Sequence, residues 1–358
     1  MEFPLFNTKQ LSKGEVYDLN DPVERKKYFE AKLGTKIEDV KSFLENNSFV
    51  AFLLAKKSAG KGTYSKMFQE IVGKDRVAHL SVGDIVRDVY KNVGNEAYKK
   101  ELVTYMEKNY RGFLTIEESI DALVGKTQDK LLPTEFILAL VKREIEKVGK
   151  KALFLDGLPR NMDQISYSLY FRNLIDFRED PDFFVLIDVP TAIIDERMKF
   201  RAVCPDCNTS RNTKLLPTKF VKHDQSTDAF YLVCDNSDCV GFGKTRLTGK
   251  EGDEKGIELI ADRLKNDQML MEKAMQLQGI PTVLVRNAIP VSEAANVADN
   301  YELTPEFYYE MGANGEVTTL NRPWSVKDDN GAECNSLMAA AAVVSMFSQI
   351  HGVLFGNK

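Results

Sequence analysis

Nine consecutive residues, Ala55-Lys56-Lys57-Ser58-Ala59-Gly60-Lys61-Gly62-Thr63, set two glycines around a lysine where an apolar run gives way to a helical one. A turn of this kind can wrap its backbone N–H groups about an anion, with the helix N-terminus adding its positive end and Lys61 a full charge. Gly60 and Gly62 allow the backbone to approach a phosphate closely. Taken alone, the segment leaves a basic, glycine-containing strand-to-helix turn without a ligand as the alternative. Farther on, Cys204-x2-Cys207 and Cys234-x4-Cys239 bracket 26 residues. Four thiolates in two close pairs suit a closed tetrahedral Zn²⁺ site, structural because no coordination position stays open for water. Two disulfides, or four unpartnered thiols, are the alternatives. His223 lies between the pairs as a spare ligand or, preferably, a solvent-exposed side chain; Cys334 reads as a small buried or half-exposed residue.

These residues need a scaffold. The chain has 358 residues, 43% of them hydrophobic and 28% charged, enough for a real core. Its net charge of −5 gives no bulk attraction to nucleic acid or to an anionic membrane, so phosphate recognition must come from local clusters. Short apolar runs at 49–54, 77–80, 152–155, 183–189 and 282–285 alternate with helical sequence such as Lys61–Val72. That order predicts an α/β fold: a parallel sheet of about five strands with helices on both faces, and ligands at the carboxyl ends of the strands. Two excursions interrupt the alternation. One, at 90–149, is helical and charged; the other, at 202–256, is irregular and carries the cysteines.

Residues 1–47 read as an appended segment, helical from about Asp21 to Asn46, and no pattern is assigned to 301–358 apart from an apolar stretch, Leu337–Phe355. That stretch carries Ser345, Ser348, Gln349 and His351, which argues for a buried or interface helix rather than a membrane span. We favour packing within the chain, hence a monomer, with the C-terminal helix as the alternative subunit interface. No secretory signal is visible, and clustered cysteines in such a chain point to metal and a cytoplasmic protein.

Three further segments follow the first turn in order: Leu80-Ser81-Val82-Gly83-Asp84-Ile85-Val86-Arg87, then Phe154-Leu155-Asp156-Gly157-Leu158-Pro159-Arg160 with Gln164, then Arg197 and Arg201 ahead of the cysteines. The i,i+4 spacing of these arginines predicts one helix face. Together the four segments resemble the adenylate kinase family, whose long-lid members carry a zinc-binding insert at this place. The resemblance spans roughly 49–300 and excludes both extensions. It implies a P-loop NTPase-like domain at 48–300, with an NMP-binding insertion at 90–149 and a zinc-ribbon-like lid at 202–256. It also implies phosphoryl transfer between Mg·ATP and AMP, giving two ADP.

By this resemblance, Ser58, Ala59, Gly60, Lys61, Gly62 and Thr63 cradle the ATP phosphates. Arg87 and Arg160 clamp the acceptor phosphate, and Arg197, Arg201 and Arg263 neutralise the migrating charge. Asp84 and Asp156 orient water on Mg²⁺. Gln164 reads the acceptor adenine, whose pocket also takes in Val82, Leu132 of the segment Lys130–Glu135, and Gly157; Pro290 belongs to the donor side. Departures are visible. Ala55 and Ser58 replace loop glycines, predicting a distorted loop or weaker ATP binding. Val82 replaces a threonine, an insertion stands near Thr104–Lys126, and the usual Arg-x-Asp-Asp of the lid becomes Gly252-Asp253-Glu254 with Arg246 as stand-in. They leave a kinase for another nucleoside monophosphate, or an inactive nucleotide-binding scaffold or sensor, as competing readings. A zinc-ribbon nucleic-acid binder finds no aromatic platform among lid residues Lys214, Lys219, Lys222 and Lys244.

Overall fold

The structure, a computed structural model, describes residues 3–9, 14–125, 132–160, 164–165 and 180–356. The helical stretch expected from Asp21 to Asn46 is two helices, α1 (Pro22–Leu33) and α2 (Lys36–Asn46). Gly34 divides them. It adopts φ 55° and donates its N–H to Glu30 O at 3.1 Å, a stop that a side chain would resist. Asp21 caps α1 by accepting from the Val23 and Glu24 amides, and Pro22 starts it.

The five apolar runs become strands. In chain order the core continues as β1 (Val50–Ala55), α3 (Lys61–Val72), β2 (Val77–Ser81), α4 (Val82–Asn92), α5 (Glu96–Asn109), α6 (Ile116–Leu123), α7 (Thr134–Val148), β3 (Ala152–Asp156), β4 (Asp182–Asp188) and α8 (Thr191–Lys199). After the cysteine region come α9 (Ala261–Met275) and the last strand of the sheet, here named by its residues, Thr282–Arg286. The sheet order is 282–286, β4, β1, β3, β2, and every neighbouring pair is parallel. Successive strand residues face opposite layers. Ala51, Leu53, Phe154 and Val185 meet α1, α2 and α3, whereas Phe52, Leu54, Leu155 and Leu186 meet α4, α7 and α9. Burial on both faces explains why these strands read as continuous apolar runs.

The cysteine region folds as two small sheets. Strands β5 (Arg201–Val203), β6 (Ser210–Asn212) and β9 (Thr248–Gly249) form one, and the hairpin of β7 (Phe220–Asp224) with β8 (Ala229–Val233) forms the other. The strand at 282–286 is β10; it is followed by β11 (Ile289–Pro290), α10 (Val291–Val297), β12 (Glu306–Met311), β13 (Val317–Arg322), β14 (Val326–Lys327), β15 (Glu333–Asn335) and α11 (Ala339–Phe355).

Both extensions share the main core. Phe347 of α11 packs on Phe68 of α3 with ring centroids 5.0 Å apart. Gln349 meets the open edge of β10, accepting from Leu284 N at 2.9 Å and donating to Leu284 O at 2.8 Å. The helix thus packs within the chain. No helix among the described residues is long and apolar enough to cross a membrane. The extensions also clasp each other: Glu302, fully buried, accepts from Tyr28 OH at 2.5 Å and Thr8 Oγ1 at 2.8 Å and pairs with Lys32 Nζ at 3.2 Å. Finally, the β12–β13 hairpin docks on the cysteine region. Phe307 N donates to Lys214 O at 2.7 Å, Tyr309 OH donates to Thr213 O, and Glu306 lies 3.5 Å from Lys214 Nζ.

Candidate active site

A cleft of about 1210 Å³ opens at the carboxyl ends of β1 and β3, under the cysteine region. Its floor is the turn after β1. Ala55 stays in the strand opposite Ile187, so replacing a glycine there leaves the backbone unstrained. Ser58 does adopt a left-handed conformation, φ 66°, and Gly60 another at φ 105°. At Gly60 a Cβ would meet the Tyr64 ring at 3.4 Å, so the glycine suits both the dihedral and the packing. Gly60 O accepts from Thr63 N at 2.9 Å and from Tyr64 N at 3.0 Å, which launches α3. The loop is formed, and the distortion expected from its substitutions is confined to Ser58.

Lys61 Nζ donates to Ala55 O at 3.1 Å and lies 3.6 Å from Asp156 Oδ1. Lys56 is withdrawn: nearly buried, it pairs with Asp329 Oδ2 at 2.6 Å and donates to Thr191 Oγ1 at 3.2 Å. The Lys57 amide is held by Asp267 Oδ2 at 2.9 Å.

Around this floor stand Arg87, Arg160, Arg197, Arg201 and Arg263, from five separate segments, with Ser58 to Thr63, Asp84, Asp156 and Gly157 in the same lining. Burial pushes the Arg160 guanidinium below its ordinary pKa, and the charges of Arg263 and Arg87 add to this. Lys57 is lowered by burial and then by Arg263. Cations thus repel one another across the cleft, and a polyanion would relieve that strain. Arg160 Nε, although buried, has no hydrogen-bond partner among the described residues.

Some residues sit where the sequence did not put them. Arg197 lies in the last turn of α8, but Arg201 begins β5, because the helix stops at Lys199 and pairing of Arg201 with Asn212 takes over. The two arginines share the cleft, not a helix face. Arg201 makes a two-pronged pair with Asp253, at 2.6 and 2.7 Å. Arg246 lies outside the lining; it pairs with Asp224 at 2.9 Å and stacks over Tyr231. Pro290 also lies outside it, its backbone paired opposite Cys334 in β15. Val82 and Leu132 pack into the core beneath the cleft rather than lining it. Gln164 is buried, accepting from Arg160 N at 2.7 Å and donating to Thr134 Oγ1 at 3.1 Å. Lys126, Lys130 and Leu131 lie outside the described residues.

Sequence reasoning missed four neighbours. Asp267 had a signal, being i,i+4 from Arg263 and 3.8 Å from it. His79 sits on β2, 3.9 Å from Asp156, and burial lowers its pKa. Asn287 and Ser336, which hold Arg197, had none.

The four cysteines meet. Cys204 Sγ lies 3.9 Å from Cys239 Sγ, Cys207 Sγ lies 3.7 Å from Cys234 Sγ, and all four sulfurs fall within 4.8 Å of one another. All are free thiols, which rules out the two disulfides. Zn–S bonds of about 2.3 Å in a tetrahedron place sulfurs roughly 3.8 Å apart, so the donor set fits that metal. The Gly241 amide donates to Cys239 Sγ at 3.3 Å, the outer support a thiolate ligand needs. His223 is elsewhere, bonded to Asp228 at 3.0 Å.

No family model matches the chain. Among curated proteins, the adenylate kinase of Thermotoga petrophila is 31% identical over 213 residues, 59% of this chain and 77% of that protein. The chain belongs to the adenylate kinase family. The adenylate kinase of Thermotoga maritima gives the same figures, and that of Clostridium novyi is 33% identical over 169 residues, 47% of this chain and 65% of that protein. Residues from both terminal segments line the cleft: Asn20 and Arg25 from one end, Thr304, Phe307 and Leu337 from the other.

Proposed function

We propose that this chain is an adenylate kinase, moving the γ-phosphoryl of Mg·ATP to AMP by in-line transfer. The observation that carries this reading is that Lys61 and the arginines Arg87, Arg160, Arg197, Arg201 and Arg263 line one cleft together with the turn after β1. Transfer of a phosphoryl group asks for positioning and charge rather than covalent help, and that is what these side chains offer. Lys61 and the amides from Ser58 to Thr63 take the donor phosphates. Arg87 and Arg160 take the acceptor phosphate; Arg160 Nε–H, without a partner among the described residues, has a donor to give. Arg197, Arg201 and Arg263 surround the migrating group. Gln164, buried behind the cleft lining and bonded to Arg160 N and Thr134 Oγ1, would reach an acceptor base only by exchanging those bonds.

Asp84 and Asp156 both line the cleft and offer the hard oxygens Mg²⁺ prefers, through water. Bound Mg²⁺ would neutralise charge on the donor phosphates. In this reading 90–149 is the acceptor-binding insertion and 202–256 the lid, stapled by Zn²⁺ at Cys204, Cys207, Cys234 and Cys239, its binding energy serving as folding energy for a small flap. Enclosure excludes water, which otherwise would hydrolyse ATP.

A coupled assay of ADP formation from ATP and AMP tests the reading. We expect activity that falls at least about 100-fold in Lys61→Ala. Intact ATP binding without turnover in the wild type would instead favour a nucleotide-binding scaffold. A panel of other monophosphates in the same assay tests the acceptor, since Val82 supplies no hydroxyl.

A further inference from the structure

Arg197 is held by neutral groups only. Its Nη1 donates to Ala59 O of the phosphate loop at 3.3 Å, and its Nη2 to Asn287 Oδ1 at 3.0 Å and Ser336 Oγ at 3.3 Å. The structure gives it no carboxylate partner among the described residues, unlike Arg201, which Asp253 neutralises. Ser336 belongs to the C-terminal extension and is 1% exposed. Its hydroxyl donates to Asn287 Oδ1 at 2.8 Å, while the Asn287 amide donates to Tyr64 OH at 2.7 Å and Leu337 O at 3.0 Å. Thr304 N fixes the Ser336 backbone, donating to its carbonyl at 2.8 Å.

We infer that Ser336, acting with Asn287, is a positioning residue that aims the uncompensated Arg197 guanidinium at the donor phosphates, which makes the C-terminal extension a working part of the active site. Three features support it. The network is buried, so its geometry is over-determined. The Arg197 bonds to Ala59, Asn287 and Ser336 use three of the five guanidinium N–H donors, so donor capacity remains for an oxyanion. And because its partners carry no charge, the full positive charge remains for a triphosphate.

The inference rests on the assignment of Arg197 to the donor side, and the test separates the two. Ser336→Ala is expected to raise the KM for ATP about tenfold, as loss of one hydrogen bond to a charged group should, with the KM for AMP unchanged. In an Arg197→Ala background the same substitution should add nothing further. An unchanged KM for ATP in an active wild-type background, an equal rise for both substrates, or a full effect retained without Arg197 would each overturn the inference. Failure of the wild type to convert ATP and AMP would overturn the underlying reading as well. If Ser336→Ala does not fold, Ser336→Cys preserves the volume with a weaker bond, and about a threefold rise is expected; no rise overturns the proposal.

Discussion

Asp329, at the turn between β14 and β15, ties the C-terminal segment to the turn after β1, and removing it has a calculable effect. Its Oδ1 accepts from Thr191 N at 2.9 Å and its Oδ2 from Lys56 Nζ at 2.6 Å. Thr191 is the first residue of α8, preceded by Pro190, which has no side-chain oxygen to cap it. Asp329 therefore supplies the missing cap from another part of the chain, worth about 1 kcal/mol, with about 0.5 kcal/mol more from its charge at the helix N-terminus. Truncating one partner of a fully buried ion pair costs about 3–5 kcal/mol. Here Lys56 is buried but the Asp329 side chain is 45% exposed, and Lys56 keeps Thr191 Oγ1, so solvent screening reduces that part to about 1–1.5 kcal/mol. Asp329→Ala should thus destabilise by about 3 kcal/mol. Asp329→Asn, which keeps an oxygen for the cap, should cost about half as much.

The pH dependence has a definite sign. Burial works to raise the Asp329 carboxyl, but the Lys56 ammonium and the Thr191 amide outweigh it and hold it below its ordinary value of 3.8. A carboxylate depressed in the folded state contributes stability above its unfolded pKa and loses it as pH falls through the folded one. Urea unfolding of wild type and Asp329→Asn at neutral pH should show the gap, and the gap should close in acid below pH 3.8. A gap below about 0.3 kcal/mol at neutral pH, or one that persists undiminished in acid, refutes the reasoning.

Three further outcomes are expected. Metal analysis of the purified protein should find one zinc per chain, and Cys207→Ser should lose it together with the protease resistance of residues 202–256. Phe347→Ala, which empties the contact between α11 and Phe68, should cost about 3–5 kcal/mol in urea unfolding. Ser58→Gly should relieve a left-handed φ of 66° yet also loosen the unfolded chain, so a stability change within about 1 kcal/mol is expected, with the KM for ATP equal or lower.

The parallel sheet was legible because strands buried on both faces write themselves as unbroken apolar runs, and the cleft because its lysine and arginines fall at fixed places after those strands. Where prediction slipped, tertiary structure overrode local spacing. Arg197 and Arg201 have helical spacing, but strand pairing with Asn212 claims Arg201. The expected single helical stretch from Asp21 to Asn46 is broken at Gly34, which reaches φ 55°. The C-terminal extension hid for a different reason. The β12–β13 hairpin is half exposed on both faces, so its residues do not alternate cleanly, and Glu302 looks like a surface charge until Tyr28, Thr8 and Lys32 close around it. Such long-range polar partners leave no periodic trace.

The docking of that hairpin alters the mechanics of the flap. A flap joined to its body only through α8 and α9 could pivot like a door on one jamb. Here Phe307 and Tyr309 grip residues 213–214, and Lys219 reaches Asp21 of the N-terminal segment at 3.2 Å. If residues 202–256 swing as the lid of the proposed kinase, they must either carry the hairpin along or first release it.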